Sequence, residues 1–531
     1  MTEPAQPLSA WSPLRIPAFR MLFIAMVVSN IGMWMQMVGA QWLLIDEPHA
    51  TTLIALIQTA MTLPLAVFAL PAGIIADAVD RRRMLIVVQS AQLAIAAFLT
   101  VLVALNAISP TALLWLLAAF ATTSAFALIP FQSSIIELVP RAQVPMAAAM
   151  TGLSANIARA IGPALAGVLV ARFGTSLVFA LNTVGVAVYL ASIVAWRREG
   201  ESRPAAHESF GTALASGVRF VRHSPHIRRL LLRVVLFTVP AQAIWALLPL
   251  VARRQLHLEV GEYGALLAAI GVGAVAAASV LPRLRQRLGT NGVIATAMLA
   301  YAIALLGLSI ARSMAEALPL LCCAGFGWIG TLSSIGGSLQ LYLPGWVRSR
   351  GAAINTLVLF GGQAAGAAIW GSLATQMTLQ QTYWIAAAII AAGSTLAWIR
   401  PLGDVEGLDR SHANYWPTPE PAFDPGESRE PVRVSIEYDI HPADVPAFLE
   451  AMSFVRIVRL RSGGHNWELH RDVEAPQRFV ESYASRSWEE HMRQHEVHLM
   501  ESDRVLEARA TALSRSPVIV QHFLHTSVPK R

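Results

Sequence analysis

The sequence predicts an all-α membrane protein, with twelve transmembrane helices in two six-helix halves and a small α+β domain after them. Three observations predict it. Hydrophobic residues make up 55% of the chain, charged residues only 14%, and the mean hydropathy is +0.52. Apolar runs of about 20 residues or more, the length that crosses a ~30 Å hydrocarbon core, recur from residue 18 to residue 399. The charge is divided: residues 1–400 hold 25 Arg against 12 acidic residues, a net of +13, whereas residues 401–531 have a net of −6. The high overall pI of 9.9 therefore reflects topology rather than nucleic-acid binding.

The expected spans are 18–45, 52–76, 84–106, 111–137, 147–172, 176–196, 230–251, 262–281, 291–311, 316–343, 351–375 and 381–399. Only elements that satisfy their own backbone hydrogen bonds survive in lipid, so each reads as a helix. With the N-terminus inside, most arginines fall at inner ends or loops, among them Arg15, Arg20, Arg81–Arg83, Arg228, Arg229, Arg283 and Arg348. Arg172, Arg253, Arg254 and Arg312 fall outside. This positive-inside bias predicts a multi-pass membrane protein with both termini cytoplasmic. The first span lacks a signal peptide's short apolar region and cleavage site and is expected to be retained. Cys322 and Cys323 are adjacent in an apolar helix and read as small core residues.

The expected organisation is an N-terminal half (1–200), a cytoplasmic loop (201–229), a C-terminal half (230–400), a linker (401–430) and a soluble cytoplasmic domain (431–531). An ungapped offset of 204 aligns the fifth span with the eleventh, matching Pro140 to Pro344, Ala148 to Ala352, Gly162 to Gly366 and Gly167 to Gly371. Duplicated six-helix halves place a transport site near the midplane between them.

After the second span the chain reads Gly73-Ile-Ile-Ala-Asp77-Ala-Val-Asp80-Arg81-Arg82-Arg83. Gly73 allows close helix approach, and Asp77 stands where a helix N-terminus or an arginine can meet it. The fifth span holds Ala158-Arg159-Ala160-Ile161-Gly162-Pro163-Ala164-Leu165-Ala166-Gly167, a four-residue spacing of small side chains with a proline that removes a backbone bond. The first motif resembles the signature loop of the major facilitator superfamily, and the second resembles the Gly-Pro motif of its exporters and antiporters. With Gly32 to Trp42, Asn156-x-x-Arg159 and Arg350 to Gly371, residues 15–400 are similar to the branch of enterobactin exporters and transmembrane secretion effectors. The resemblance implies a major facilitator fold, a latch formed by Gly73, Asp77, Asp80, Arg81 and Arg82, packing at Gly162, Pro163, Gly167, Gly366 and Gly371, and efflux of a siderophore, metabolite or drug. Asp80 stands where the family usually has a second glycine.

Arg159 is the only charge near a helix centre, and such charges are costly in lipid. Two readings are open for it: a functional one, in which it contacts an anionic substrate or governs coupling, and a structural one, in which it pairs with backbone carbonyls or snorkels. Asn156, Asn30, Trp34, Gln36, Gln41, Gln58, Gln242, Trp245, Asn355 and Gln363 are the other candidates for a cavity lining, each weighed against simple helix–helix hydrogen bonding. Proton coupling, by antiport, is weakly marked: residues 111–136 carry no charge, and Asp46 and Glu137 are the groups nearest the role. No phosphate-binding Gly-x-x-x-x-Gly-Lys-Ser/Thr occurs.

In the tail, strands are expected at Val432–Ile440, His465–Val473, Arg478–Arg486 and Val518–Leu524, and helices at Ala443–Leu460 and Trp488–Arg509. This order suggests a ferredoxin-like sandwich and resembles the small dimeric barrels of the antibiotic-biosynthesis-monooxygenase type. His491, His495 and His498 lie at helical spacing, a pattern able to hold metal. The acidic residues around them fit a solvated face instead, so no metal or other cofactor is expected. The expected partners are the bilayer, a small-molecule substrate, protons, and a second copy through the tail. No enzyme activity is expected; a tethered sensor or oxygenase working through the tail is the alternative.

Overall fold

Prolines and short polar side chains set the helix boundaries. Pro17 and Pro110 occupy first turns, where a missing N–H costs nothing. Ser109 accepts a hydrogen bond from the Ala112 N–H, and Asp80 accepts one from the Arg83 N–H. The substituted position of the Gly73–Arg83 motif is thus a helix N-cap. The computed structural model describes residues 9, 11–196, 210–403, 409, 411–413, 415–419, 421–423 and 430–526, excepting the side chains at 70, 74, 76–78, 129, 133, 135–137 and 210–215.

Among these residues eleven helices are long and apolar enough to cross a membrane. They are α1 (Pro17–Leu43), α2 (Ala50–Ala78), α3 (Arg81–Ala104), α4 (Pro110–Leu138), α5 (Val144–Phe173), α6 (Thr175–Ala195), α8 (Pro225–Leu250), α9 (Val260–Ile310), α10 (Met314–Tyr342), α11 (Arg348–Gln376) and α12 (Leu379–Ile399). Their ends lie within a few residues of the expected spans. The exception is α9, which contains both 262–281 and 291–311. Its 51 residues are interrupted at Gly289, whose φ of 65° and ψ of 176° are non-helical. At 1.5 Å per residue an unbroken helix of that length would run about 76 Å, far beyond one bilayer core.

The chain divides into two units. The first comprises Met1–His207, Leu231–Gly336 and Asn355–Pro401. Glycines bring its backbones together: a Cβ at Gly162 would lie 2.6 Å from the Cβ of Trp34, and one at Gly167 would lie 2.8 Å from the Val260 carbonyl. At Gly366 it would collide with the Val239 carbonyl, and at Gly371 with Ala55.

The second unit comprises Glu208–Leu230, Gly337–Ile354 and Leu402–Arg531. Within 201–229, expected as loop, lies the helix α7 (Phe210–His223). The tail contains β1 (Val432–Asp439), α13 (Val445–Ser462), β2 (His465–Arg471), β3 (Arg478–Ser485), α14 (Trp488–Arg493), α15 (Glu501–Thr511) and β4 (Ile519–Leu524). The strands form one antiparallel sheet in the order β2-β3-β1-β4. Alternation along β1 turns Val434, Ile436 and Tyr438 into a core with Phe448, Met452 and Phe479.

The expected helix 488–509 is broken. After α14, residues Gln494–His498 form a π-helical turn and the backbone is extended at Leu499 and Met500. The linker accounts for the break: the Ala413 N–H donates to the Leu499 carbonyl, and His412 bridges to Met500. Asp409, Ser411, His412 and Ala413 of the linker are thus bound to the domain.

A charge network crosses this core. Arg459 on α13 reaches Glu481 on β3 at 3.0 Å and Glu507 on α15 at 2.8 Å, all three buried. Trp467 Nε1 and the Tyr438 hydroxyl also donate to Glu481. Removing one member of a buried pair leaves the other charge uncompensated, which costs about 3–5 kcal/mol. Arg459→Ala should therefore lower the protection of β1 and β3 amides against hydrogen exchange in the full-length protein by an opening energy of that size. Unchanged protection would show that the network is not holding the core.

Candidate functional site

Within the first unit, an aromatic and polar cluster lies where α1, α2, α8 and α10 meet. Pro249 lacks an N–H, so the carbonyl of Trp245, one turn earlier in α8, has no helical donor. Gln58 of α2 supplies one, its Nε2 donating to the Trp245 carbonyl at 3.3 Å. Gln242 Nε2 in turn reaches Gln58 Oε1 at 3.5 Å. The Trp245 ring packs on Trp34 of α1, with centroids 5.7 Å apart, and on Trp328 of α10, also at 5.7 Å. Tyr301 and Phe237 extend the cluster beyond Trp328.

Arg159 stands at the edge of this cluster. Its guanidinium carbon lies 5.7 Å from the Trp34 ring centroid, a cation–π distance. Its Nε and Nη1 are buried, and no described residue hydrogen-bonds to them. A guanidinium carries five N–H donors and no acceptor, so leaving the three on buried Nε and Nη1 unpaired is costly. Of the two readings left open by the sequence, pairing with backbone carbonyls is not the arrangement found at these atoms.

The structure therefore brings together Arg159, Trp34, Gln58, Gln242 and Trp245. Gln36 and Asn30 are used differently: Asn182 of α6 donates to Gln36 at 2.6 Å, and Asn30 donates to Ser154 at 3.1 Å. Both are helix–helix hydrogen bonds. Gln41 accepts from the Tyr263 hydroxyl at 2.7 Å. Asn156 and Gln363 are half-buried, and Asn355 has a buried side-chain oxygen with no described partner. Trp328, Tyr301 and Phe237 were missed, because an aromatic in an apolar helix carries no signal of its own. Pro249, four residues after Trp245, was the available clue.

In the Gly73–Arg83 motif, Asp77 falls in the last turn of α2, and its side chain lies outside the described residues; so does that of Glu137. Arg82 donates to the carbonyls of Trp196 and Val194 at 2.7 Å each, gripping the carbonyl end of α6. Asp46 lies 3.7 Å from Arg253 in an exposed pair.

The tail holds a second site. A cavity of about 920 Å³ is lined by β1, β4, α13, α14 and α15 and by linker residues 415–419 and 421–423. Tyr415 and Trp416 both donate to Glu507, at 2.7 and 2.9 Å. His491 and His495 enter this cavity with His522 of β4, a partner that sequence spacing did not indicate. His498 turns away from it. Its Nδ1 donates to the Ser462 carbonyl at 2.7 Å and its ring stacks on Trp346 at 4.1 Å. Glu490, expected on a solvated face, pairs with Arg219 of α7 at 2.9 Å.

Burial holds the imidazoles below their ordinary pKa of 6.5: His491 at about 3, and His495 and His498 at about 4. The cationic groups facing them act in the same direction, namely His495, His522 and Arg459 for His491, His522 and Arg459 for His495, and Arg219, Arg350 and Arg493 for His498. In this window the opened chain binds more protons than the folded one, so stability is complete above about pH 6.5 and falls as the pH drops towards about 4. Hydrogen exchange of residues 488–498 in the full-length protein, corrected for intrinsic rate, should lose protection between about pH 7 and pH 5. Constant protection over that range would contradict this burial.

The sequence profile of the transmembrane secretion effector family matches residues 8–530. The chain is 27% identical over 373 residues to the enterobactin exporter EntS of Citrobacter koseri, covering 68% of this chain and 86% of the relative. It is also 27% identical over 379 residues to the EntS of Escherichia coli O1:K1, with the same coverages. Two solved transporters share its fold at low identity. PepTSo, of the POT family, aligns at a TM-score of 0.62 and 10% identity, covering 72% of this chain and 97% of its own. The nucleoside transporter NupG aligns at a TM-score of 0.55 and 12% identity, covering 72% of this chain and 98% of its own. With a multi-helix apolar bundle and a family match over nearly its whole length, the chain belongs to the transmembrane secretion effector family of major facilitator transporters.

Proposed function

We propose that this protein exports a small organic anion across the bacterial inner membrane by alternating access, with Arg159 as the anion-binding group. The observation that carries the reading is the buried guanidinium with two unpaired nitrogens beside Trp34, at the junction of the helix groups. The relatives' name, enterobactin exporter, supports outward transport and makes a siderophore or a metabolite or drug of similar chemistry the substrate class. Gln58, Gln242, Trp34 and Trp245 would line the path, with Asn156, Asn355 and Gln363 nearby. With no nucleotide-binding motif in the sequence, an ion gradient drives the cycle in this reading, and proton antiport is its simplest form.

The bundle is read as twelve spans, with α9 divided at Gly289 into two helices that each fit one bilayer. Repeat-related glycines support a duplicated six-plus-six origin. Gly162 meets Ile31 and Trp34 as Gly366 meets Val239 and Gln242, and Gly167 meets Gly264 as Gly371 meets Ala55. The arginine bias supports cytoplasmic termini. Contacts at Gln41–Tyr263, Gly167–Val260 and Ala55–Gly371 close the outer end, whereas Gly152 of α5 and Gly336 of α10 face open space. This supports an inward-facing state. The loop Gly73, Asp77, Asp80, Arg81 and Arg82 would latch the opposite state. The tail is read as a ferredoxin-like domain, which the β2-β3-β1-β4 order supports.

Arg159→Gln should abolish efflux per inserted molecule, and Arg159→Lys should retain only a fraction, because the planar fork is lost. Asp77→Asn should insert normally and export more slowly. Efflux of a catecholate siderophore from cells at matched membrane expression measures all three. Normal export by the Gln variant would remove Arg159 from the site.

Reporter fusions after Arg83, Arg287 and Arg531 should read cytoplasmic and one after Arg312 periplasmic. A periplasmic C-terminus would break the twelve-span reading.

A further inference from the structure

Transport through the first unit leaves the tail cavity without a role. We propose that His491, His495 and His522 bind a late first-row divalent metal ion, with a further coordination position open to that cavity. The Nε2 atoms of His491 and His495 lie 3.2 Å apart. Two imidazole nitrogens bound to one tetrahedral ion at ~2.0–2.1 Å stand about 3.3 Å apart, so this pair is already spaced for a shared ion. One nitrogen from each of the three residues lies within 4.8 Å of the others. A shift of the half-buried His522 by about 1.5 Å would complete a three-nitrogen face of tetrahedral size.

The donor set selects the ion. Three imidazoles without a carboxylate suit zinc, copper, nickel or cobalt, and not magnesium or calcium, which take oxygen ligands. Neutral imidazole is the ligating form, and burial keeps these rings neutral well below neutral pH. Arg459 would oppose a cation nearby, but Glu481 and Glu507 compensate its charge. Gln494 interacts with the His491 side chain, and its Nε2 already donates to Ser485. Its buried Oε1 is available to accept from His491 Nδ1, which is also unpaired among the described residues. Such an outer contact fixes the tautomer that presents Nε2 to a metal.

The surroundings suit an open position. Val434, Tyr438, Tyr483, Val520 and Leu524 line the cavity with apolar and aromatic surface, leaving room for a small donor molecule on the ion. The linker covers it: Trp416 lies edge-on to His495 at 4.9 Å and under Arg459 at 4.6 Å. Trp416 would therefore slow exchange of the ion with solvent. The competing account is an imidazole pair that shares one proton and packs the core.

The test uses full-length protein in detergent, stripped with a chelator and reloaded with one equivalent of Zn2+ or Co2+. Elemental analysis should find one ion per chain after gel filtration, and Co2+ should show the intense visible bands of tetrahedral coordination. His522→Gln, at a half-exposed strand position, should weaken binding at least ~10-fold, since even outer-shell changes cost 10–100-fold. His491→Gln combined with His495→Gln should abolish it. His498→Gln should retain the ion, and Trp416→Ala should release it to a chelator several-fold faster. Failure of the wild type to hold an ion through gel filtration, or equal retention by monodisperse His522→Gln, would overturn the site in favour of the proton-sharing pair.

Discussion

A carbonyl deprived of its helical donor finds no water inside a bilayer and must take a donor from another helix. Pro249 creates such a carbonyl at Trp245, and Gln58 supplies the amide. Much of the central cluster depends on this exchange. It draws α2 to α8, places Gln242 against Gln58, and sets the Trp245 ring between Trp34 and Trp328. Arg159, resting on Trp34, inherits its position from the same chain of contacts.

Close approach of backbones is the second requirement, and here small residues substitute for a hydrophobic driving force that lipid does not supply. Gly162 holds α5 to α1 and Gly366 holds α11 to α8, whereas Gly167 packs α5 on α9 and Gly371 packs α11 on α2. One motif thus packs against two different helices, depending on how far along the helix each glycine lies.

The tail solves its polar problem differently. Arg459, Glu481 and Glu507 are buried together and extended by Tyr438, Trp467, Tyr415 and Trp416, so that each charge has partners in a low-dielectric core. Two of those partners come from the linker. The same segment pairs with Leu499 and Met500, where the expected second helix breaks. That break gives His495 and His498 different surroundings, one at the cavity and the other stacked on Trp346.

Much of the fold was legible because membrane helices obey length and hydropathy, which are local properties. Helix ends came within a few residues, and the four strands of the tail were located by alternation, although their order in the sheet was not. The Gly289 break was legible only as a gap between apolar runs. Residues that meet across helices were not legible. Polarity selected Gln36 and Gln58 equally, yet Gln36 of α1 accepts from Asn182 of α6 whereas Gln58 of α2 caps a proline-freed carbonyl of α8. Helical spacing grouped His498 with His491 and His495; the π-turn and the sheet replaced it with His522. The sequence by itself determined which segments enter the membrane and how many charges they carry, since transfer free energy is summed residue by residue. Only the tertiary structure decided which polar group satisfies which, because a hydrogen bond needs two partners within about 3 Å and their separation along the chain does not set that distance.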